Sequence, residues 1–493
     1  MLGYLDPPTA AWTRARSPPT AGCAPGTPAR SPPTAGSPSA AASRRSSSST
    51  ARPSPHRRRG RRAGRGRRHG RRRRRRPPRR PRRHRVGVRG EPEADRTALA
   101  GRVAEACRRR LPRTPAPHGP GGARTAPHRQ RQVRPGPAAR LGLRRDGGRR
   151  VSAVALAGTG LISPLGPTPA AFWRGLLDGR RAFGELRGID GDFRSRVVAA
   201  VPHEDCPAPA GRRKEALATT AARQALDAAG LPALPDGALV VLVSQTPVLT
   251  DPEAERNGDF AGPRPQALLA ACRADARRTT VVHLSHACAS AAFAASFARD
   301  WLLSGLSTTA LVVGASALNR YEYASMDVVK TLSPHGARPF DAERDGITVG
   351  EGGGAFVLET ARSARDRGHR PEAWLSGAAC LVDTTQAVAS APDAVRDCMR
   401  AALDDAGVHR VDYVHAHATG TAQGDAAEAE AVAELAHDLG IATPLPMSSH
   451  KGAIGHLLHA SAFPGLVAAA GFLREGWIPG TPGCATGRPC PTA

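Results

Sequence analysis

TTVVHLSHACASAAFAASFARDWLLSGL, residues 279–306, changes its period halfway through. The β-branched run TTVVHL has strand character, and the alanine-rich stretch that follows has the repeat of a helix. Between them HLSHACASAA (283–292) predicts a sharp turn with Cys288 at or near the first helical turn. Unsatisfied amide N–H groups and the helix macrodipole favour an anion there, so such a turn lowers the proton affinity of a thiol. The thiolate is the nucleophilic form of cysteine, and each pKa unit is worth about 1.4 kcal/mol. The same amides can donate to an oxyanion formed on an attacked thioester carbonyl. Taken by itself, Cys288 is equally readable as a small buried core residue.

The elements on either side repeat the strand-to-helix alternation. VSAVALAG (151–158) reads as a buried strand, GLISPLG (160–166) as a loop and TPAAFWRGLLDG (168–179) as a short helix ending at glycine. RRKEALATTAARQALDAAG (212–230) reads as a helix, and ALVVLVSQ (238–245) as a strand covered on both faces. Further strands are expected near 308–316, at 353–360 and at 411–417, with helices at 391–407 and 425–438. This order predicts α/β layers around a largely parallel sheet, with functional residues beyond the carboxyl ends of the strands.

Two more strand-to-helix junctions carry reactive side chains. In VDYVHAHATGTAQGDAAEAEAV, His417 follows a strand, Thr419, Gly420 and Thr421 form a polar turn, and Asp425 is placed to cap the next helix. In MSSHKGAIGHLLHASAFPGLVAAAGFL, Lys451 and His456 are five apart across Gly452 and Gly455, and His456 is expected to start an apolar helix. A helix N-terminus favours the neutral imidazole. Two neutral imidazoles aimed at one carbonyl oxygen would make an uncharged electrophilic pair, with Lys451 adding positive potential. His459, three residues further, reads as packing or surface.

The chain has 493 residues and a net charge of +29, distributed very unevenly. Residues 1–150 contain 41 Arg against 6 acidic residues, a net of +35, so 151–493 carries 29 − 35 = −6. The first segment is rich in Arg, Pro, Ser, Gly and Ala, repeats RSPPTAG at 16–22 and 30–36, and holds RRRRRR at 71–76. That composition predicts disorder. An Arg-rich tail can bind a polyanion, with strong salt sensitivity. No aromatic interleaving accompanies the charge, however, and Lys214, Lys330 and Lys451 are the only lysines in the chain. An incidental extension, such as out-of-frame translation of a GC-rich gene, therefore explains 1–150 better than nucleic-acid binding does. The nine cysteines show no CxxC or CxxxC spacing, which speaks against a metal site or a disulfide framework. The sequence begins without a signal-peptide pattern and holds no apolar run of membrane-spanning length, so a cytoplasmic protein is expected.

Cys288, His417, Lys451 and His456, in this order and each at a glycine- or alanine-rich junction, resemble the β-ketoacyl-acyl carrier protein synthases. The matching stretches are HACASAA, ARPFDAERDGITVGEGGGAFVLE (337–359), HAHATGTAQGD and SSHKGAIGHLLHASA, and the match spans roughly 151 to 478. The resemblance implies a thiolase-like α-β-α-β-α fold from two similar halves, 151–360 carrying the cysteine and 361–478 carrying the histidines and lysine. It implies that Cys288 takes an acyl chain as a thioester. His417 and His456 would stabilise the enolate left when a malonyl thioester loses carbon dioxide. Thr419 and Thr421 match positions that bind phosphopantetheine, which the acyl carrier protein supplies, so no bound cofactor or metal is expected. Two histidines resemble the elongating type rather than the initiating Cys-His-Asn type. Retention of Cys288 separates the chain from non-catalytic chain-length partners, which usually carry glutamine there. The expected assembly is a homodimer, or a heterodimer with another ketosynthase-like subunit.

The resemblance is interrupted in two places. Residues 183–213 look short and irregular for the family. The family normally continues into a strand-rich segment with an NSFGFGG-like loop that supplies a second oxyanion amide. Here IPGTPGCATGRPCPTA follows Trp477, so 479–493 is expected to be an irregular tail and the C-terminal half to be truncated. The expected function is condensation by this chain, and a catalytically impaired or non-catalytic partner subunit is the alternative reading.

Overall fold

The computed structural model describes residues 4–6, 153–244, 263–383, 391–442 and 444–484. The expectation of disorder over 1–150 therefore lies outside the described residues, except for a strand at Tyr4–Asp6, β1. The other strands of the main sheet are β2 (Val154–Ile162), β5 (Leu239–Val243), β6 (Thr280–Leu284), β7 (Thr309–Ser316), β9 (Gly352–Thr360) and β10 (Ala373–Gly377). Their order is β1-β10-β2-β9-β7-β5-β6. Only β6-β5-β7 run parallel; β7–β9, β9–β2, β2–β10 and β10–β1 are antiparallel. The sheet is thus mixed rather than largely parallel. Hydrophobic runs alone do not encode strand direction, because a strand buried on both faces reads the same either way.

Of the loop expected at 160–166, residues 160–162 are instead the end of β2, while 163–166 form a turn closed by a bridge between Ser163 and Gly166. Gly158 and Gly160 break the apolar pattern because helix α2 (Ala210–Ala228) lies directly on them. A Cβ at Gly160 would stand 1.9 Å from the carbonyl oxygen of Ala221, and one at Gly158 would stand 2.4 Å from that of Ala225. Helix α1 (Pro169–Leu177) forms where expected, capped by Thr168, whose hydroxyl accepts from the Ala171 N–H at 3.1 Å. A short helix, α3 (Pro265–Ala271), also packs against α2. The opposite face is covered by α4 (Ser290–Leu303) and by a helix near the C-terminal end of the described chain, α10 (Ala462–Glu475). Helices α5 (Arg320–Val328) and α6 (Ala361–Asp366) flank β7 and β9 in the chain.

A three-stranded sheet joins β3 (Gly184–Glu185), β4 (Val197–Ala199) and β8 (Val349–Gly350), within and beside the segment that looked irregular. The last layer is built from β11 (Val414–His415) and β12 (Met447–Ser448), paired in parallel, with α7 (Pro392–Ala406) and α8 (Ala422–Asp438) over them. Met399, Leu403, Val432, Leu435 and Met447 form the core of this layer. A single-turn helix α9 (Lys451–Ile454) and a 3₁₀ turn at Leu458–Ala460 then lead into α10. Among the described residues, no helix is long and apolar enough to cross a membrane.

Candidate active site

Cys288 sits in the turn from β6 to α4, two residues before the helix begins. The turn is forced through Ala287, whose φ of 44° is left-handed and unusual for a residue with a Cβ. Ser290 ties it: its hydroxyl accepts from the His286 N–H and donates to the Ala287 carbonyl, both at 2.7 Å. The sequence reading missed Ser290, although a serine in the first turn of a helix is a recognisable tie. The expected lowering of the thiol's proton affinity is not what the structure gives. Burial pushes the Cys288 thiol up; the Lys451 charge and the backbone N–H of Cys288 itself pull it partly back. Desolvation of a thiolate outweighs the end of one helix.

His417 follows β11, and two carboxylates on the first turns of α8 hold its loop. Glu428 accepts from the N–H groups of His417 and Ala418, each at 2.7 Å. Asp425 accepts from Thr419 at 2.8 Å, from Gly420 at 3.1 Å, and from Phe340 at 2.8 Å. Asp425 is therefore a loop tether inside α8 rather than its cap; the N-cap position is Thr421. Glu428 carried no signal except its i+3 spacing from Asp425, which puts both on one helix face. Thr419 and Thr421 stand side by side, their hydroxyl oxygens 3.2 Å apart.

Lys451 is buried, and its ammonium donates to the His417 carbonyl oxygen at 2.5 Å. Burial brings it down to about 8, while Glu428, Cys288 and Asp425 hold it up. His456 does not start a helix. It lies between α9 and the 3₁₀ turn, where its N–H donates to the Thr348 carbonyl at 2.7 Å and its carbonyl accepts from Gly350 at 2.9 Å. Its neutrality thus has a different origin from the one expected: burial first, then the Lys451 charge, bring it to about 3. The His417 imidazole is pushed well below its ordinary range by burial, Lys451 and His456. The two rings meet edge to face, with centroids 5.4 Å apart.

A second polar group lies behind this pair. The Tyr413 hydroxyl is 2.6 Å from Ser448 Oγ and 2.7 Å from His415 Nδ1, and His415 Nε2 is 2.8 Å from His450 Nδ1. The sequence reading did not use these residues, though Tyr413, His415 and His417 alternate at strand spacing. Beyond α10, the described part of the expected tail packs against the same turn. The Thr481 hydroxyl accepts from the Ser449 N–H at 3.2 Å, and the Pro482 carbonyl lies where any Cβ on Gly452 would be, 1.7 Å from it. Among the described residues no cluster of His, Cys, Asp or Glu could hold a metal ion.

The loops that converge here, and the order of residues on them, are those of a family of condensing enzymes. Residues 151–364 match the β-ketoacyl synthase N-terminal domain, and residues 373–485 match the β-ketoacyl synthase C-terminal domain. The chain belongs to the β-ketoacyl synthase family, whose members are acyltransferases of the thiolase-like superfamily. It is 30% identical over 356 residues to Nodulation protein E of Rhizobium sp. (strain N33), covering 66% of this chain and 88% of that protein. It is also 30% identical over 372 residues to 3-oxoacyl-[acyl-carrier-protein] synthase 2 of Rhizobium meliloti (strain 1021), with the same two coverages. Among solved structures, the ishigamide ketosynthase/chain length factor superposes with a TM-score of 0.57 at 28% identity, over 67% of this chain and 90% of that one.

Proposed function

We propose that Cys288 accepts an acyl chain from an acyl carrier protein and that His417 and His456 direct its condensation with a malonyl thioester. The reading rests above all on the edge-to-face imidazole pair, kept uncharged beside the Lys451 ammonium. The Cys288 thiol loses its proton and its sulfur attacks the carrier thioester carbonyl, expelling the phosphopantetheine thiol, which takes up a proton. The Cys288 N–H and the α4 end support the oxyanion. In the second half, the malonyl thioester loses carbon dioxide and charge gathers on its carbonyl oxygen. Neutral N–H donors stabilise that enolate without forming an ion pair that would quench it. The enolate carbon then attacks the Cys288 thioester, and the sulfur leaves as the thiolate. Lys451, fixed by the His417 carbonyl, supplies the positive potential. The adjacent Thr419 and Thr421 hydroxyls suit the amides of a phosphopantetheine arm, which arrives on the carrier, so no resident cofactor is invoked.

The edge of the main sheet supports a partner subunit. Among the described residues β6 is the last strand of that sheet, with Val281, Val282 and Leu284 only half buried, which suits pairing with a second copy or with another ketosynthase-like subunit. The six described cysteines are free, in keeping with a cytoplasmic setting. The test is acyl transfer: an acyl-pantetheine thioester should add one acyl group, mapped to Cys288 by peptide mass spectrometry, and none to Cys288→Ala. Acylation that persists in Cys288→Ala would overturn the assignment.

A further inference from the structure

The segment that leads into Lys451 is gripped at each residue by the segment that carries His417. Ser448 Oγ lies 2.6 Å from the Tyr413 hydroxyl, and the Ser449 hydroxyl donates to the Ala418 carbonyl at 2.8 Å. His450 Nδ1 lies 2.8 Å from His415 Nε2, and the Lys451 ammonium donates to the His417 carbonyl. The backbone ladder of β11 and β12 reaches Ser448, whose carbonyl accepts from the Ala416 N–H at 2.8 Å. Past that point the hold on Ser449, His450 and Lys451 is made by these side chains.

Within this grip, the histidine pair has no part in the chemistry derived above. Tyr413, His415 and His417 alternate at strand spacing, and His450 directly precedes Lys451. The His415 and His450 rings are nearly parallel, at 3°, with centroids 5.1 Å apart. His450 is 1% exposed, and among the described residues its Nε2 has no hydrogen-bond partner. A neutral imidazole and a hydroxyl each offer one donor and one acceptor on the atoms used here. Ser448, Tyr413, His415 and His450 therefore form one run of hydrogen bonds, all pointing the same way along it. Burial first, then the Lys451 charge, keeps both rings neutral. Neutral rings let the ammonium stay beside them without repulsion. The Lys451 stem is long and free to rotate, so a charge in a defined place needs its backbone held.

We infer that His415 and His450 are positioning residues for Lys451: their cross-link holds the turn so that the ammonium stands where its charge acts on Cys288. The inference rests on the reading of Lys451 as the source of positive potential in the site. Neither ring needs to touch substrate. The interaction of two charges weakens with their separation, so a loosened turn registers at the Cys288 sulfur.

The test is iodoacetamide alkylation of the full chain from pH 7 to 11, read on the Cys288 peptide, which gives the inflection of that thiol. Lys451→Met is the reference and moves the inflection upward. His415→Leu is expected to move it the same way by about half a pH unit, about threefold in thiolate fraction. His415→Gln, whose amide both donates and accepts, should restore most of the native value. In a Lys451→Met background His415→Leu should add no further shift, because the charge it positions is gone. A merely structural role would shift both backgrounds alike. Tyr413→Phe removes one hydroxyl from the same run and should shift the inflection in the same direction, so the test survives a His415→Leu chain that fails to fold. No shift in these variants, or an equal shift with and without Lys451, overturns the inference. If Lys451→Met itself leaves the inflection in place, the underlying reading of Lys451 fails and the inference falls with it.

Discussion

The backbone N–H of Leu458 donates to Nδ1 of His456 at 2.9 Å. That bond fixes the imidazole as the tautomer with its proton on Nε2, and the Ser461 hydroxyl, 3.2 Å from the same Nδ1, supports it. The ring is thereby committed to donating through Nε2. His456→Ala should lower condensation by about 10²–10³, the usual loss for one oxyanion donor. His456→Gln, whose amide can donate from a similar place, should recover part of it. Acylation of Cys288 should survive in both variants. Single-turnover measurement of acyl-enzyme and 3-oxoacyl product separates the two steps.

Lys451 is the leading influence holding the Cys288 thiol down against burial. Lys451→Met should therefore move the pH inflection of Cys288 alkylation upward. It should also cost about 1–3 kcal/mol of stability, because the His417 carbonyl loses a buried donor. Iodoacetamide rates from pH 7 to 11, read on the Cys288 peptide, check the first expectation, and urea unfolding checks the second.

Acid should destabilise this layer in a defined window. Burial holds His415 and His456 at about 3, His459 at about 4, and His417 and His450 well below their ordinary value. The unfolded chain takes up protons on these rings as pH falls through about 6.5, whereas the folded chain does not. Their contribution is fully present above that pH and is lost toward pH 4, at about 1.4 kcal/mol per pH unit for each ring. Lys451, at about 8, acts in the same sense between about 8 and 10.5. The slope of unfolding free energy against pH between 6 and 4.5 should fall by about one proton in His415→Asn.

Much of this was legible in the sequence for a physical reason. Strands such as LVVLV at 239–243 are buried on both faces and must be continuous apolar runs. The junction residues Cys288, His417, Lys451 and His456 stand next to small residues that let chains approach closely. What stayed hidden depends on distant partners. Gly158 and Gly160 read as a strand end because the helix 61 to 67 residues away that needs their missing side chains cannot be seen locally. Asp425 looked like a cap because its three backbone donors, one of them at Phe340, come together only in the fold. The His456 environment was misjudged for the same reason: its strand-like bridge is to Val349, more than a hundred residues earlier.

The close contact at Gly160 gives a test of the fold independent of chemistry. Gly160→Ala would drive a Cβ to within 1.9 Å of the Ala221 carbonyl on α2, and something must shift. A loss of about 1–3 kcal/mol is expected. Gly184→Ala, where nothing lies within 4 Å and φ is not left-handed, should change stability by less than about 0.5 kcal/mol. Thermal unfolding of the two variants beside the native chain reads the difference.

Turnover on natural carriers tests the central claim most directly. The full chain should be given acyl- and malonyl-acyl carrier protein, with 3-oxoacyl product and carbon dioxide measured together. Equal amounts of both are expected from the native chain, with no 3-oxoacyl product from Cys288→Ala. Product formed without Cys288, or its absence from a native chain that remains folded, would contradict the assignment.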